Sequence, residues 1–265
     1  MSLLINVTIP VFNEQTCLAK NVRQVVAFLD GRYGGRYELV IADNASTDQT
    51  FQIALELERT YTCIRVVHLD LKGRGRALRT SWMKSRADIL SYMDVDLSTD
   101  LSFFPRLIEP LASGTADLCV GSRLLEPSYT TRGLKREVLS RCYNSLVRTL
   151  FRAGFSDAQC GFKALTRRSA NELLPLVVDK SWFFDTELLL LAERLGHRIY
   201  DLPVRWRDDL DSRVKIFRTA RDDIWGLLRL RLAFIKEDIA ARIGSKRAER
   251  CETRSETIKC RNERS

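Results

Sequence analysis

The feature that most constrains this chain is an alternation in its first half, where short β-branched apolar runs are each followed by an amphipathic stretch. Leu3–Ile9, Tyr37–Ala42, Ile64–Leu69, Ile89–Met93 and Leu118–Val120 read as strands, with helices near 15–30, 48–60, 75–86 and 101–112. Strands separated by helix-length segments pair in parallel, so the pattern specifies βαβ units around a mainly parallel, twisted sheet flanked by helices, an α/β fold. The second half is more helical. Its periodicity places helices at 135–152, 168–176 and 185–195, a strand at Arg198–Val204 and a long amphipathic helix from about Ile216 to Ile243. No internal repeat or low-complexity linker interrupts this order, which predicts one domain over 1–244. Residues 245–265 are dense in mixed charge and nearly free of apolar side chains, the composition of a disordered tail.

Composition then excludes several classes. The 265 residues, 45% of them hydrophobic, suffice for a full core, and a formal net charge of +9 favours an anionic partner without naming it. The cations are interleaved with acids rather than gathered in an aromatic-studded stripe, which argues against nucleic acid. Seven cysteines are scattered, odd in number and without a C-x-x-C pair, so neither a disulfide framework nor a zinc site is indicated, and a reducing cytosol fits best. With only His68 and His197, a histidine-built metal site or a Ser-His-Asp hydrolase is disfavoured; both read as packing or surface residues. Met1–Pro10 lacks the basic start and long apolar run of a secretory signal. The most apolar stretches, Leu188–Ala192 and Ile224–Ile235, are short or broken by Arg229 and Arg231, well under the ~20 residues a membrane-spanning helix needs.

In an open α/β sheet, ligands collect beyond the carboxyl ends of the strands, so acids just after predicted strands carry weight. The first strand ends in Pro10-Val11-Phe12-Asn13-Glu14, the second in Asp43-Asn44-Ala45-Ser46-Thr47-Asp48, and the fourth in Asp94-Val95-Asp96-Leu97-Ser98. Alternate carboxylates on an extended Asp94-Val95-Asp96 segment can share one hard divalent cation, with diphosphate oxygens completing its shell. The same two acids equally suit a helix-capping loop. Asp43 and the turn after it can be read as a helix N-cap, with Ser46 or Thr47 as the capping residue. Lys72-Gly73-Arg74-Gly75-Arg76-Ala77 places glycines and cations at a helix start, which suits phosphate, although its spacing is neither that of a Walker loop nor of a dinucleotide fingerprint.

Taken in order, these segments resemble the nucleotide-binding half of family 2 glycosyltransferases, inverting enzymes of the GT-A fold. Farther along, Gly121-Ser122-Arg123, Asp157-Ala158-Gln159-Cys160-Gly161-Phe162-Lys163, Phe183-Phe184-Asp185-Thr186-Glu187-Leu188 and Asp211-Ser212-Arg213-Val214 are similar to segments of its polyprenyl-phosphate and dolichyl-phosphate branch. The resemblance runs from about Ile5 to Leu232. It implies that 1–122 binds the nucleotide sugar and 123–244 faces acceptor and membrane, with C-terminal amphipathic helices.

Residue by residue, the resemblance implies that Pro10, Phe12, Asn13, Glu14, Asp43 and Ser46 surround a uridine or guanosine and its ribose, with Lys72 and Gly73 nearby. Asp94 and Asp96, joined by Val95, would hold Mg2+ or Mn2+. Many relatives carry a glutamine where this chain has Ser98, leaving water to fill that position. Arg123 and Arg213 would meet phosphates of donor or acceptor, as a planar, permanently charged fork does well. Asp157 is the implied base or acceptor-orienting acid, and Asp185 and Glu187 compete for that role, although both also suit the first turn of a helix ended by Gly196.

The implied reaction transfers a hexose from a UDP- or GDP-sugar to a polyprenyl phosphate, whose oxygen is already ionised near neutral pH because its second pKa is about 6. Along 135–152, Val138, Leu139, Cys142, Tyr143, Leu146, Val147, Leu150 and Phe151 recur at helical spacing among arginines. That pattern suits a helix lying in a headgroup layer, and equally one packed on the sheet. The resulting expectation is a peripheral protein on the cytoplasmic face of a membrane, docking directly or through an integral membrane partner. Alternative readings are a family 2 transferase with a saccharide acceptor and a non-catalytic nucleotide-sugar-binding module.

Overall fold

The computed structural model describes residues 3–126, 128–131, 134–207 and 220–236. The chain runs β1 (Ile5–Val11), α1 (Leu18–Tyr33), β2 (Tyr37–Asn44), α2 (Thr50–Thr60), β3 (Ile64–Leu69), α3 (Arg74–Lys84), β4 (Ile89–Met93). A 3-10 turn (Leu101–Phe103), α4 (Phe104–Ala112), β5 (Leu118–Ser122), β6 (Tyr129–Thr131) and α5 (Leu134–Phe151) follow. The series ends with β7 (Phe162–Thr166), α6 (Arg167–Leu173), α7 (Phe184–Arg194), β8 (Ile199–Pro203) and β9 (Arg205–Arg207). Residues divide into a unit over Met1–Asp223 and another over Ile224–Ser265. The described part of the second is helical through 236 and exposes Trp225, Leu228 and Leu232. Among the described residues, no helix is long and apolar enough to cross a membrane.

Seven strands form one mostly parallel sheet in the order β3-β2-β1-β4-β7-β5-β8, the α/β architecture expected from the alternation. β1 pairs parallel with both β2 and β4, β2 with β3, and β5 with β8, whereas β7 lies antiparallel between β4 and β5. Helices cover the sheet, so β1 buries Ile5, Val7, Ile9 and Val11 and also Asn6 and Thr8 between them. The polar ones are paired: Thr8 Oγ1 donates to Asn6 Oδ1 (2.8 Å) and Asn6 Nδ2 to Glu38 Oε1 (2.9 Å). Helix α1 buries Leu18, Val22, Val25, Val26 and Leu29 on one stripe, each contributing about 1.5–3 kcal/mol. It stops at Gly34, whose left-handed φ of 55° lets its N–H reach Asp30 O.

Expected strands 64–69 and 89–93 match the structure to the residue, and the other helices and strands shift by a few positions, except that both ends of the helix expected over 216–243 and all of the tail expected over 245–265 lie outside the described residues. Three strands were not anticipated. β6 and β9 pair over three residues each, too short for a periodic signal. β7 carries Lys163 with its side chain buried, which breaks the apolar run that marks a core strand.

Candidate active site

The order of strands creates a crevice at one place. From β1 the chain moves outward through β2 and β3 and then returns to β4 on the other side of β1, so the loops after β1 and β4 part there. Each of the loops after β1, β2 and β4 contains a non-glycine residue in the left-handed region: Asn13 (φ 57°), Ala45 (φ 59°) and Leu97 (φ 54°). Asparagine tolerates that region, but alanine and leucine are strained in it, and such strain persists only where surrounding contacts fix the turn.

The β1 and β2 loops are laced together. Asn13 N donates to Ser46 Oγ (3.0 Å), Thr47 N donates back to Asn13 Oδ1 (2.8 Å), and Glu14 N donates to Thr50 Oγ1 (2.7 Å). The cap expected from Ser46 or Thr47 is not formed: the N-cap of α2 is Gln49, with no side-chain cap bond, Ser46 and Thr47 are engaged with Asn13, and Asp48 Oδ1 accepts from Thr50 N (2.9 Å) just ahead of the helix. Asp43 is fully buried at the end of β2. Its Oδ2 lies 2.7 Å from His68 Nδ1, while its Oδ1 has no partner among the described residues. A buried carboxylate oxygen without a donor is costly, and the N–H of a bound base would satisfy it. His68, read from sequence as a packing or surface residue, thus orients Asp43, with Phe51 stacked on its ring at 4.3 Å.

The helix start at Lys72–Ala77 differs from the expectation of a phosphate cradle. Gly73 N donates to Asn44 Oδ1 (2.6 Å), Gly75 N to Ser181 O (3.2 Å) and Arg76 N to Lys180 O (3.1 Å). The Gly75 and Arg76 donors are consumed by a loop more than a hundred residues away and that of Gly73 by the end of β2, so they do not face an anion. Gly73 and Gly75 serve that closeness: a Cβ would lie 2.3 Å from Lys180 O and 2.5 Å from Phe184 Cβ respectively. Lys72 Nζ sits 3.9 Å over the Phe12 ring, at the mouth of the β1 loop.

Asp94 to Leu97 form a turn rather than an extended segment, closed by Leu97 N donating to Asp94 O (3.2 Å). The strand ends at Met93, and Asn21 Nδ2 fastens the turn by donating to Val95 O (2.9 Å). Asp96 Oδ1 accepts from Ser98 N (2.9 Å), which gives Ser98 a backbone role in orienting the second acid. Asp94 lies against the backbone of Gly161, where a Cβ would be 1.7 Å from Asp94 Oδ2. Its Oδ1 is 3.1 Å from Arg74 Nη2, and Arg74 Nη1 is 2.6 Å from Asp185 Oδ2. Both remain hard oxygen donors suited to Mg2+ or Mn2+. Among the described residues, no group of three or more His, Cys, Asp and Glu side chains is placed to hold a metal. A cation at Asp94 and Asp96 would therefore complete its shell with oxygens from elsewhere.

The remaining acids are sealed. Asp157 Oδ2 accepts from Arg123 N and Nε (3.2 and 2.7 Å), and its Oδ1 from Arg123 Nη2 (2.9 Å) and Gln159 N (3.2 Å). Burial pushes the Asp157 carboxyl up, but Arg123, with Lys163 behind it, more than offsets this and holds it below the ordinary value. Such a carboxylate is a poor base and a good orienter of Arg123, which also lies over Trp206 at 5.0 Å. Asp185 sits between Arg74 and Lys163, whose Nζ is 3.1 Å from Asp185 Oδ1, and accepts from Tyr92 Oη. Burial opposes its charge as well, and Lys163 and Arg74 prevail, lowering its pKa. Glu187 Oε2 accepts from Val178 N (3.1 Å) and Asp179 N (2.7 Å), securing the loop before α7. Arg213, with the segment 211–214, lies outside the described residues.

In the sequence Arg74, Gly161 and Lys163 stand only as members of longer motifs and His68 as a packing or surface residue, with no site role of their own, while Tyr92 and Asp223 carry no signal at all. The last accepts from Gln159 Nε2 (2.9 Å), and burial together with Asp179, Asp222 and Asp185 pushes its carboxyl up to about 7.

A mostly parallel sheet with an antiparallel insertion, and paired acids at its switch point, define the architecture of a GT-A glycosyltransferase. The sequence pattern of glycosyl transferase family 2 matches residues 6–174. The chain belongs to that family, on the branch that holds dolichyl-phosphate glycosyltransferases. It is 37% identical over 225 residues to glycosyltransferase AglD of Haloferax volcanii, covering 84% of this chain and 35% of the archaeal protein, so the chain spans only about a third of that relative. It is 30% identical to dolichyl-phosphate beta-glucosyltransferase of Drosophila melanogaster, with 82% of this chain and 71% of the relative covered. In fold it is similar to glucosyl-3-phosphoglycerate synthase of Mycobacterium tuberculosis in complex with Mn2+, UDP-glucose and phosphoglyceric acid. There the TM-score is 0.67 at 22% identity, over 86% of this chain and 79% of that one.

Proposed function

We propose that this protein transfers a hexose from a UDP- or GDP-sugar to a polyprenyl phosphate at the cytoplasmic face of a membrane, with inversion at the sugar. The observation that carries this reading is the placement of Asp94 and Asp96 at the β1/β4 switch point, beside the laced β1 and β2 loops. Asp43, with one buried oxygen unpaired, suits the N–H of a pyrimidine or purine base. Bound at Asp94 and Asp96, Mg2+ or Mn2+ would supply Lewis-acid stabilisation of the departing diphosphate. Arg123, held rigid by Asp157, offers a fixed cation to a phosphate of donor or acceptor. A lipid phosphate is ionised at neutral pH and needs no base, which accords with an Asp157 kept anionic and sealed.

Helix α5 supports a membrane surface as the workplace. Its packed face carries Ser140, Asn144 and Val147, and Asn144 Oδ1 accepts from Ala158 N (2.8 Å). Val138, Leu139 and Leu146 are exposed instead. A helix that buries polar residues and presents apolar ones matches an interfacial surface better than a solvated one. The names of the curated relatives point to dolichyl phosphate as acceptor, and that of the solved neighbour to a soluble phosphoglycerate. Incubation of radiolabelled UDP- and GDP-sugars with polyprenyl phosphate and Mg2+ separates them. Label entering the organic phase is expected; label transferred only to phosphoglycerate or a saccharide contradicts the lipid acceptor.

A further inference from the structure

Asp94 is not waiting for a cation; it already has one. The Arg74 guanidinium lies 3.1 Å from Asp94 and 2.6 Å from Asp185, and it sits between the rings of Tyr92 and Trp182, 4.9 and 5.2 Å from their centroids. A guanidinium is a permanent cation, and these partners surround it with two carboxylates and two ring faces. We propose that Arg74 is a positioning residue that acts as the resident counter-cation of Asp94, so that the divalent ion enters only together with the diphosphate of the sugar nucleotide. This rests on the reading of Asp94 and Asp96 as the metal-holding acids.

Three observations lead there. First, Asp94, Asp185, Arg74 and Lys163 balance one another, which leaves Asp96 as the one carboxylate of the two assigned to the ion that this cluster does not match, so a bare divalent ion would bring excess positive charge beside a guanidinium. A cation arriving with an anionic diphosphate adds no such excess. Second, Arg74 does not depend on Asp94 for its place. Asp185 and the two rings hold it, so its Nη2 arm can pass from Asp94 to a diphosphate oxygen while Nη1 stays bonded. Third, the described residues assemble no third acid, so the shell of a cation there is incomplete without ligand oxygens.

The test is Mn2+ binding followed by electron paramagnetic resonance of the free ion, with the full chain, alone and with UDP or, in a parallel arm, GDP. Wild-type protein is expected to bind Mn2+ at least about 10-fold more tightly with its nucleotide than without. In Arg74→Gln, Mn2+ binding without nucleotide should tighten by about 10-fold and the coupling should shrink accordingly. Arg74→Lys keeps a charge in the cluster but loses the fork, so it shows the same change more weakly and serves if the glutamine variant does not fold. Equal Mn2+ affinity with and without nucleotide in the wild type overturns the inference, as does a folded Arg74 variant with unchanged nucleotide-free affinity. Absence of Mn2+ binding under every condition would instead overturn the metal assignment itself, and the inference with it.

Discussion

Two groups of acids occupy the same edge of the sheet under opposite conditions. Asp94 keeps a third of its side chain exposed, in a turn that faces the crevice after β4. Asp157, Asp185 and Glu187 are all but inaccessible, and each is fastened by a guanidinium, an ammonium or backbone N–H groups. The contrast separates contact from positioning. An acid with an accessible oxygen can meet ligand, whereas an acid sealed against its own cation acts only by fixing where that cation points.

The contrast can be broken most severely at the sealed end. Asp157→Ala leaves Arg123 buried without its partner and is expected to cost about 3–5 kcal/mol of stability, measurable by urea unfolding. A loss below about 1 kcal/mol would mean that Arg123 finds solvent and that the pair is less sealed than its geometry indicates. A middle effect comes from Gly161→Ala, whose Cβ has no room beside Asp94 Oδ2. Displacing Asp94 should lower transfer by about 100-fold while costing about 1–3 kcal/mol, read by steady-state assay and thermal melt. Transfer at the wild-type rate would show that Asp94 is not in the catalytic geometry.

The smallest effect is on pH dependence, through Asp223. Its carboxyl, ordinarily near 3.8, is raised to about 7, so the folded protein binds a proton that the unfolded chain has released. Stability from this group therefore falls as pH climbs from about 4 to about 7 and levels off above it. Asp223→Asn should flatten that part of the stability profile in melts between pH 5 and 8, an effect of about 1 kcal/mol or more. An unchanged profile would place the titration elsewhere.

How far the molecule was legible in sequence follows the same division. The strand-and-helix alternation and the acids after β1, β2 and β4 are local features, and they survive into the structure nearly where the periodicity places them. The sealed cluster is not local. Arg74 reads as one more cation in a basic turn until Asp185, 111 residues on, is folded against it. Lys163 disguises β7 because its partner Asp185 lies beyond α6, on α7, and leaves no signal within the strand itself. The Lys72–Ala77 turn misled for the same reason, since the carbonyls of Lys180 and Ser181 that take its N–H groups leave no trace near it.

The central claim is most directly tested by calorimetric titration of UDP- and GDP-sugars into wild-type protein and Asp96→Ala, with Mg2+ or with chelator. The account predicts binding by one nucleotide sugar that needs the ion and is lost in a folded Asp96→Ala. Binding of equal strength in chelator, or in Asp96→Ala with Mg2+, would contradict it.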